Sequence, residues 1–244
     1  MTKLAKSPGS QTDLDELSIM LFELDPGQPE FPHPSLADKD GLLAIGGDLS
    51  PQRLLNAYSQ GIFPWYSAET PILWYAPHDR FILYPQKIKI SKSMQRAFAR
   101  NDFSFTTDQA FEKVIYNCSS VYRKDQNDTW IVPDMIKAYI DIHRLGVAHS
   151  IEVWQDKVLV GGLYGILIGK VFCGESMFSK ASNASKAALI YLCQNYNLSL
   201  IDCQVPSSHL KNMGAETMTQ KEYLSILAQQ NYSHNGLQEL FRYT

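Results

Sequence analysis

The chain has 244 residues, of which 45% are hydrophobic and 19% are charged, a composition typical of a globular protein with one or two domains. Its net charge of −3 excludes a protein that is basic overall, so nucleic acid could bind only through a local basic patch. The cysteines show no CxxC spacing and the six histidines are scattered, which predicts free thiols in a reducing compartment and no metal site.

The amino-terminal third is predicted to contain a strand, a Pro-rich loop and one short helix. Residues 1–16 lack the apolar core of a signal peptide and are predicted to be a disordered tail. No apolar run is long enough to span a membrane, so we expect a cytoplasmic protein. The helix begins with Pro51 and ends before Gly61. Residues 17–79 are predicted to form a small α/β domain.

Three further helices are predicted after residue 80. A basic helix begins after Ser91, and a second helix follows Asp108. A longer amphipathic helix extends from Pro133 to its stop signal at Gly146, with apolar residues recurring at helical spacing along one face.

Strands dominate the part of the chain that follows. Three are predicted within residues 149–178, then a helix that Ser182 opens, then a last strand within residues 198–205. Hairpins make antiparallel neighbours, whereas a strand that returns after a helix should run parallel by a right-handed crossover. We therefore expect an α+β protein in which residues 80–244 form a mixed sheet with helices on its faces, as in the N-acetyltransferase-like (GNAT-related) acyl-transfer folds.

One function that such a fold would allow is coenzyme A-dependent N-acyl transfer. Ordinary members of that class bind the pyrophosphate through a glycine-rich loop at the start of the crossover helix, where the backbone must approach the phosphates closely. Here that position, residues 179–189, reads SKASNASKAAL and contains no glycine. The sequence therefore disfavours acetyl-CoA as the donor, and this function is kept as the alternative.

A local basic stripe lies between residues 80 and 100, where the chain has six basic residues and no acidic one. Such a stripe can bind a nucleic-acid backbone through its phosphates without reading the base sequence. A solvated helix face is an equally good interpretation of the same residues. The stripe comprises Arg80, Lys87, Lys89, Lys92, Arg96 and Arg100.

Several long strings resemble the leucyl/phenylalanyl-tRNA–protein transferase family. They include GLLAIGGDLSPQRLLNAYSQGIFPWYS, TWIVPDMIKAYIDIHRLGVAHSIEVW, VFCGESMFS and LIDCQV, in a resemblance that covers roughly residues 17–228. It implies an enzyme that transfers Leu or Phe from aminoacyl-tRNA to the α-amine of proteins beginning with Arg or Lys, which marks them for N-degron degradation. We expect the enzyme to be a monomer. Whether Met is also transferred stays open.

The reaction implied by this resemblance uses an ester that is already activated, so it needs no ATP, metal or other cofactor. The catalyst must hold ester and amine together and allow the amine to lose a proton. Strand alternation predicts that Asp202 and Gln204 share one face of the last strand, about 6.6 Å apart. The family positions imply that the pair orients and activates the acceptor amine. A polar pair that merely bridges two strands is the alternative.

Glu175 is a carboxylate inside an otherwise apolar strand, where burial without a partner is costly. The resemblance implies that it binds one of the two cations of an acceptor that begins with Arg or Lys. We predict a binding residue and not a base. From the sequence alone, a salt bridge to Lys180 or Lys186 is the alternative.

The donor side chain requires an apolar pocket of medium depth, and methionine suits a pocket that must accept both Leu and Phe. Each apolar candidate could equally be an ordinary core residue. The pocket positions that the resemblance implies are Leu163, Phe172, Met177, Leu189 and Ile201.

The tRNA requires a surface for its 3′ adenosine and another for its backbone. Trp65 and Trp130 lie in family motifs and are predicted to contact the adenosine. A non-catalytic tRNA-binding module would keep such surfaces without the polar residues of the strands, and it is the second alternative. The residues predicted to contact the tRNA backbone are Lys87, Lys89, Lys92, Arg96 and Arg100.

Overall fold

The structure, a computed structural model, describes residues 21–120 and 131–230. The predicted tail at residues 1–16 lies outside this part of the chain. Four short strands near the amino terminus form the first sheet, in the order β1-β2-β4-β3. They are β1 (Phe22–Leu24), β2 (Leu42–Gly46), β3 (Phe63–Pro64) and β4 (Leu73–Tyr75). Helix α1 (Pro51–Ser59) joins β2 to β3 and begins as predicted, because the Ser50 side chain accepts the backbone N–H of Arg53.

Seven strands form the second sheet, in the order β11-β5-β10-β9-β8-β7-β6. They are β5 (Asp79–Leu83), β6 (Ser104–Thr107), β7 (Ala148–Gln155), β8 (Val158–Ile168), β9 (Val171–Ser179), β10 (Leu200–Gln204) and β11 (Glu216–Thr219). Neighbouring strands are antiparallel except β9 and β10, which run parallel and are joined through helix α5 (Ala184–Asn195). The predicted α+β class, with a mixed sheet and a parallel return after the helix, is confirmed.

Helices cover both faces of the second sheet. A Cβ atom on Gly161 of β8 would meet Ala184 of α5, whereas one on Gly162 would meet Val114. Because successive residues of a strand point to opposite faces, α5 and the helix that carries Val114 lie on opposite sides of the sheet. The remaining helices are α2 (Lys92–Ala99), α3 (Phe111–Ser119), α4 (Pro133–Arg144), α6 (Ser208–Asn212) and α7 (Gln220–Ala228).

The chain changes from the first sheet to the second between Tyr75 and Asp79. The buried apolar side chains of both sheets nevertheless form one continuous cluster. The division into domains at residues 17–79 and 80–244 therefore stays a prediction. In the described ranges, no helix is both long and apolar enough to cross a membrane.

Strand β9 contains an irregularity at its only acidic residue. Ser176 pairs with Tyr164 of β8, and Gly174 pairs with Gly165, so the register skips Glu175. An extra residue of this kind is a β-bulge, which bends the strand and aims a side chain in a direction that regular alternation does not allow.

Strand β10 contains a second irregularity next to the first. Asp202 pairs with Ile82 of β5 and Gln204 pairs with Phe81, so the register skips Cys203. Gln204 has a φ of 62°, in the left-handed region that residues other than glycine seldom occupy. The prediction of regular alternation from Asp202 to Gln204 is therefore wrong, because the strand is bulged between them.

Candidate active site

A cavity of about 470 Å³ opens where β9 and β10 stop pairing. The last paired position is Asp202 with Cys173, although β9 continues to Ser179. All five residues predicted for the apolar pocket line it: Leu163, Phe172, Met177, Leu189 and Ile201. Its lining also includes the four predicted polar and aromatic site residues Trp65, Glu175, Asp202 and Gln204. An apolar wall with a few convergent polar groups is typical of a ligand site.

The Glu175 carboxylate is held by three neutral donors. The Tyr58 hydroxyl donates to Oε1 at 2.7 Å and the Tyr139 hydroxyl donates to Oε2 at 3.0 Å. The Gln204 side-chain amide donates to Oε1 at 2.8 Å. The two tyrosine hydroxyl oxygens also lie within hydrogen-bond distance of each other, but their two protons can make only two of these three tyrosine contacts at a time. Glu175 is only 8% exposed. The bulge in β9 thus aims a carboxylate at the helices α1 and α4 and at the end of β10.

No cation from the described residues pairs with Glu175. Lys180 lies with its ammonium 5.9 Å from the centre of the Phe178 ring, and Lys186 donates to the Asn183 side chain. The alternative interpretation of Glu175 as the partner of Lys180 or Lys186 is therefore wrong.

Burial is the main influence on the protonation of this cluster. It raises the pKa of Glu175 to about 7, and the nearby Asp202 charge adds to the rise, while hydrogen bonds from Tyr58, Tyr139 and Gln204 limit it. Burial and the Glu175 charge also raise the pKa of both tyrosines well above their ordinary value. The phenols therefore stay neutral donors, and Glu175 is the group that can gain or lose a proton near pH 7.

Asp202, by contrast, has no free acceptor position. Arg80 donates to both oxygens, with Nε at 2.8 Å from Oδ1 and Nη2 at 2.6 Å from Oδ2. The Tyr223 hydroxyl donates to Oδ2 and the backbone N–H of Gln204 donates to Oδ1, each at 2.8 Å. The residue is 0% exposed. The carboxylate holds the bulged backbone at Gln204 instead of contacting the Gln204 side chain.

The assignment of Arg80 to an exposed basic stripe is wrong, because the side chain is 1% exposed. Its guanidinium lies between two rings, 4.7 Å from the centre of Phe63 and 4.8 Å from that of Tyr223, and it donates to the Gly61 carbonyl. Burial alone would lower the pKa of Arg80, but the facing Asp202 carboxylate outweighs burial and raises it. The residue therefore connects both sheets and α7.

The other members of the stripe lie at the surface, away from the cavity. Lys87 pairs with Glu216 at 2.8 Å and Arg100 pairs with Asp102 at 2.5 Å. The three remaining side chains are exposed and form no ion pair with any described residue; they are Lys89, Lys92 and Arg96. Part of the positive charge is thus neutralised by acids from outside residues 80–100, which the local count could not include.

Four residues of this site were missed by the sequence analysis: Arg80, Tyr58, Tyr139 and Tyr223. A signal existed for two of them, because Tyr58 and Tyr139 lie on the buried faces of amphipathic helices. A buried tyrosine hydroxyl requires a hydrogen-bond partner, so both positions indicated a polar group inside the core. Trp130 lies outside the described residues. Over the ranges that the structure describes, no cluster of three or more His, Cys, Asp or Glu side chains could hold a metal ion.

Comparison with known proteins gives consistent matches. The profile of the Leucyl/phenylalanyl-tRNA protein transferase family matches residues 82–228, and that of its N-terminal domain matches residues 47–78. A protein from Syntrophobacter fumaroxidans named leucyl/phenylalanyl-tRNA–protein transferase is 52% identical over 202 residues, which cover 82% of this chain and 86% of the relative. A protein of the same name from Psychromonas ingrahamii is 50% identical over 218 residues, covering 87% and 91%.

Among solved structures, the chain is similar to a GCN5-related N-acetyltransferase from Kribbella flavida. The sequence identity is 9% and the TM-score is 0.34, with 69% of this chain and 61% of that chain covered. The α+β class of this chain follows from its own strand order.

Proposed function

The chain belongs to the leucyl/phenylalanyl-tRNA–protein transferase family, and on that basis we propose that it transfers Leu or Phe from aminoacyl-tRNA to the α-amine of proteins beginning with Arg or Lys. The observation that carries the proposal is one cavity that combines an apolar wall with the Glu175 carboxylate. The product would be marked for N-degron degradation. Aminoacyl-tRNA is a cytoplasmic substrate, so we expect the protein to act there, as a monomer and without a cofactor.

The apolar wall suits the donor side chain. The end of the cavity is enclosed and apolar, because its lining residues Leu163, Phe172, Leu189 and Ile201 are each at most 3% exposed. Met177 is only half-buried, and its flexible thioether can adapt to either a branched or an aromatic side chain. A pocket of this type discriminates against Val or Ile by about 1–3 kcal/mol.

The polar side of the cavity suits the acceptor. A buried carboxylate with neutral donors alone is costly, and the α-ammonium of an acceptor would supply the missing cation beside Glu175. Because the Gln204 side-chain N–H₂ donates to Glu175, its oxygen is left to accept a hydrogen bond from the amine. Asp202 acts one step further away, because it holds the backbone of Gln204.

The tRNA would reach the cavity over its aromatic side. Trp65 is half-buried and lines the cavity, where it can stack on the 3′ adenosine. We propose the same role for Trp130. The phosphates of the acceptor stem would contact the exposed basic residues Lys87, Lys89, Lys92, Arg96 and Arg100.

The first test is transfer of labelled Phe from Phe-tRNA to two peptides that differ only in an N-terminal Arg or Ala, without ATP or coenzyme A. We expect label on the Arg peptide alone, because only that acceptor brings a second cation. Transfer that requires an acyl-CoA would instead favour the N-acyltransferase alternative. Binding of Phe-tRNA with no transfer to either peptide would favour the non-catalytic tRNA-binding module.

The second test reverses the charge of Lys92 and Arg96. The Lys92→Glu/Arg96→Glu variant should bind tRNA more weakly, and its salt dependence, as the slope of log K against log salt, should fall by about one for each lost phosphate contact. The matched control is Lys113→Glu/Lys137→Glu, which alters two exposed lysines on α3 and α4. Equal salt dependence in both variants would show that the stripe is an ordinary solvated face.

A further inference from the structure

We propose that Glu175 is the general base of the transfer, which takes a proton from the α-ammonium of the acceptor. The inference rests on the proposed function and goes beyond the binding role that the sequence predicted for this residue. The two carboxylates beside the cavity, Glu175 and Asp202, have different hydrogen-bond partners, and this difference is the basis of the inference.

The two polar residues next to Glu175 in the cavity, Asp202 and Gln204, cannot take this proton. Both oxygens of Asp202 are occupied by the Arg80 ion pair and by two further donors, and no part of the residue is exposed. Protonation of Asp202 would break the Arg80 pair and leave a buried cation without a partner. Gln204 carries a neutral amide, which accepts hydrogen bonds but is a very poor base.

Glu175 lies among groups that leave its proton free to exchange. The titratable groups around it are Tyr58 on α1, Tyr139 on α4, Cys173 on its own strand and Asp202 on β10. Burial keeps both phenols and the Cys173 thiol protonated, since it raises each pKa well above the ordinary value. Arg80 is paired with Asp202, so among the described residues no neighbouring cation holds Glu175 in its ionised form.

The pKa of the α-ammonium that gives up the proton and the pKa of the Glu175 carboxyl that takes it are close to each other. An N-terminal α-amine has an ordinary pKa of about 7.7–8.0. Burial raises the pKa of Glu175 to about 7, so that proton transfer between the two groups costs little free energy in either direction. A base whose pKa lies near the operating pH is the most effective one.

The proton balance of the reaction closes with this assignment. An N–H bond of the ammonium breaks and an O–H bond forms on Glu175. The neutral amine then attacks the ester carbonyl carbon, a C–N bond forms, and the bond from that carbon to the ribose 3′ oxygen breaks. The leaving oxygen takes a second proton from the attacking nitrogen, and the amide keeps the third. Glu175 afterwards releases its proton to water.

The decisive experiment compares Glu175→Gln with the unaltered chain on two acceptors. One is a peptide that begins with Arg, and the other carries an aminooxy group in place of the α-amine, which is neutral at pH 7. If Glu175 is the base, kcat at pH 7 falls by about tenfold with the amine, of which only about a tenth is neutral without a base, and changes by less than about twofold with the aminooxy acceptor. Equal losses with both acceptors, or a change in acceptor KM alone, would overturn the assignment.

The matched control is Glu152→Gln, which alters a second buried carboxylate, on β7, outside the cavity. It should keep kcat with both acceptors. An unaltered chain that transfers Phe to neither acceptor would refute the proposed function itself, a result distinct from failure of the base assignment.

A second variant covers the case in which Glu175→Gln does not fold. Tyr139→Phe removes a hydrogen bond that lowers the pKa of Glu175, so this pKa should rise and the acid limb of the kcat profile should move to higher pH. The profile with the aminooxy acceptor should not move. A profile that is unchanged for the amine would contradict the proposal.

Discussion

Replacement of Arg80 by Met is expected to cost about 3–5 kcal/mol of the free energy of unfolding, because it leaves the Asp202 carboxylate buried without its cation. Asp202 is 0% exposed, so water cannot take the place of the guanidinium. The change also removes the stacking of the guanidinium between Phe63 and Tyr223. Since Asp202 holds the bulged backbone at Gln204, transfer activity should be lost together with stability.

Urea denaturation of two companion variants separates the ion pair from simple packing. Arg80→Met/Asp202→Leu should recover part of the lost stability, because no charge is left buried without a partner. Arg53→Met alters the other arginine that is fully buried in the described ranges. Its partner Asp48 is 30% exposed and can be hydrated, so the cost should be smaller. A single Arg80→Met variant as stable as the unaltered chain would contradict the role assigned to this pair.

The Gly165→Ala substitution is expected to destabilise the second sheet by about 3 kcal/mol, at the upper end of the usual cost of overpacking. A Cβ atom at this position would lie 2.2 Å from the Cys173 carbonyl oxygen and 2.6 Å from the Phe172 ring. The carbonyl belongs to a central strand and cannot move aside without distorting β9. Displacement of the Phe172 ring should also reshape the apolar wall and weaken donor binding.

The control for this prediction is a substitution of Gly174, the residue of β9 that pairs with Gly165 of β8. Gly174 pairs directly with Gly165, but a Cβ atom there would meet only the Asp202 carbonyl oxygen, at an ordinary 3.5 Å. Gly174→Ala should therefore change the free energy of unfolding by no more than about 0.5 kcal/mol. Chemical denaturation measures both variants, and similar stabilities would show that the close approach at Gly165 is not what the site depends on.

Much of the architecture follows from local features of the sequence. The start of α1 at Pro51 and the extent of α4 up to Gly146 are set by capping residues and by apolar periodicity, which act within a few positions along the chain. The parallel pairing of β10 with β9 follows from the helix between them, since a crossover of this kind reverses the chain twice. The residues of the apolar wall followed from the family resemblance.

The sequence by itself thus determined the order of the elements, the α+β class and the residue types available for chemistry. The tertiary structure alone decided how the polar groups are paired. Glu175 meets Tyr58 across 117 positions, and Asp202 meets Arg80 across 122. Bulges in two neighbouring strands set these contacts, and a bulge depends on register against a partner strand instead of local propensity. For this reason alternation misplaced Gln204, and a count of nearby charges placed Arg80 at the surface.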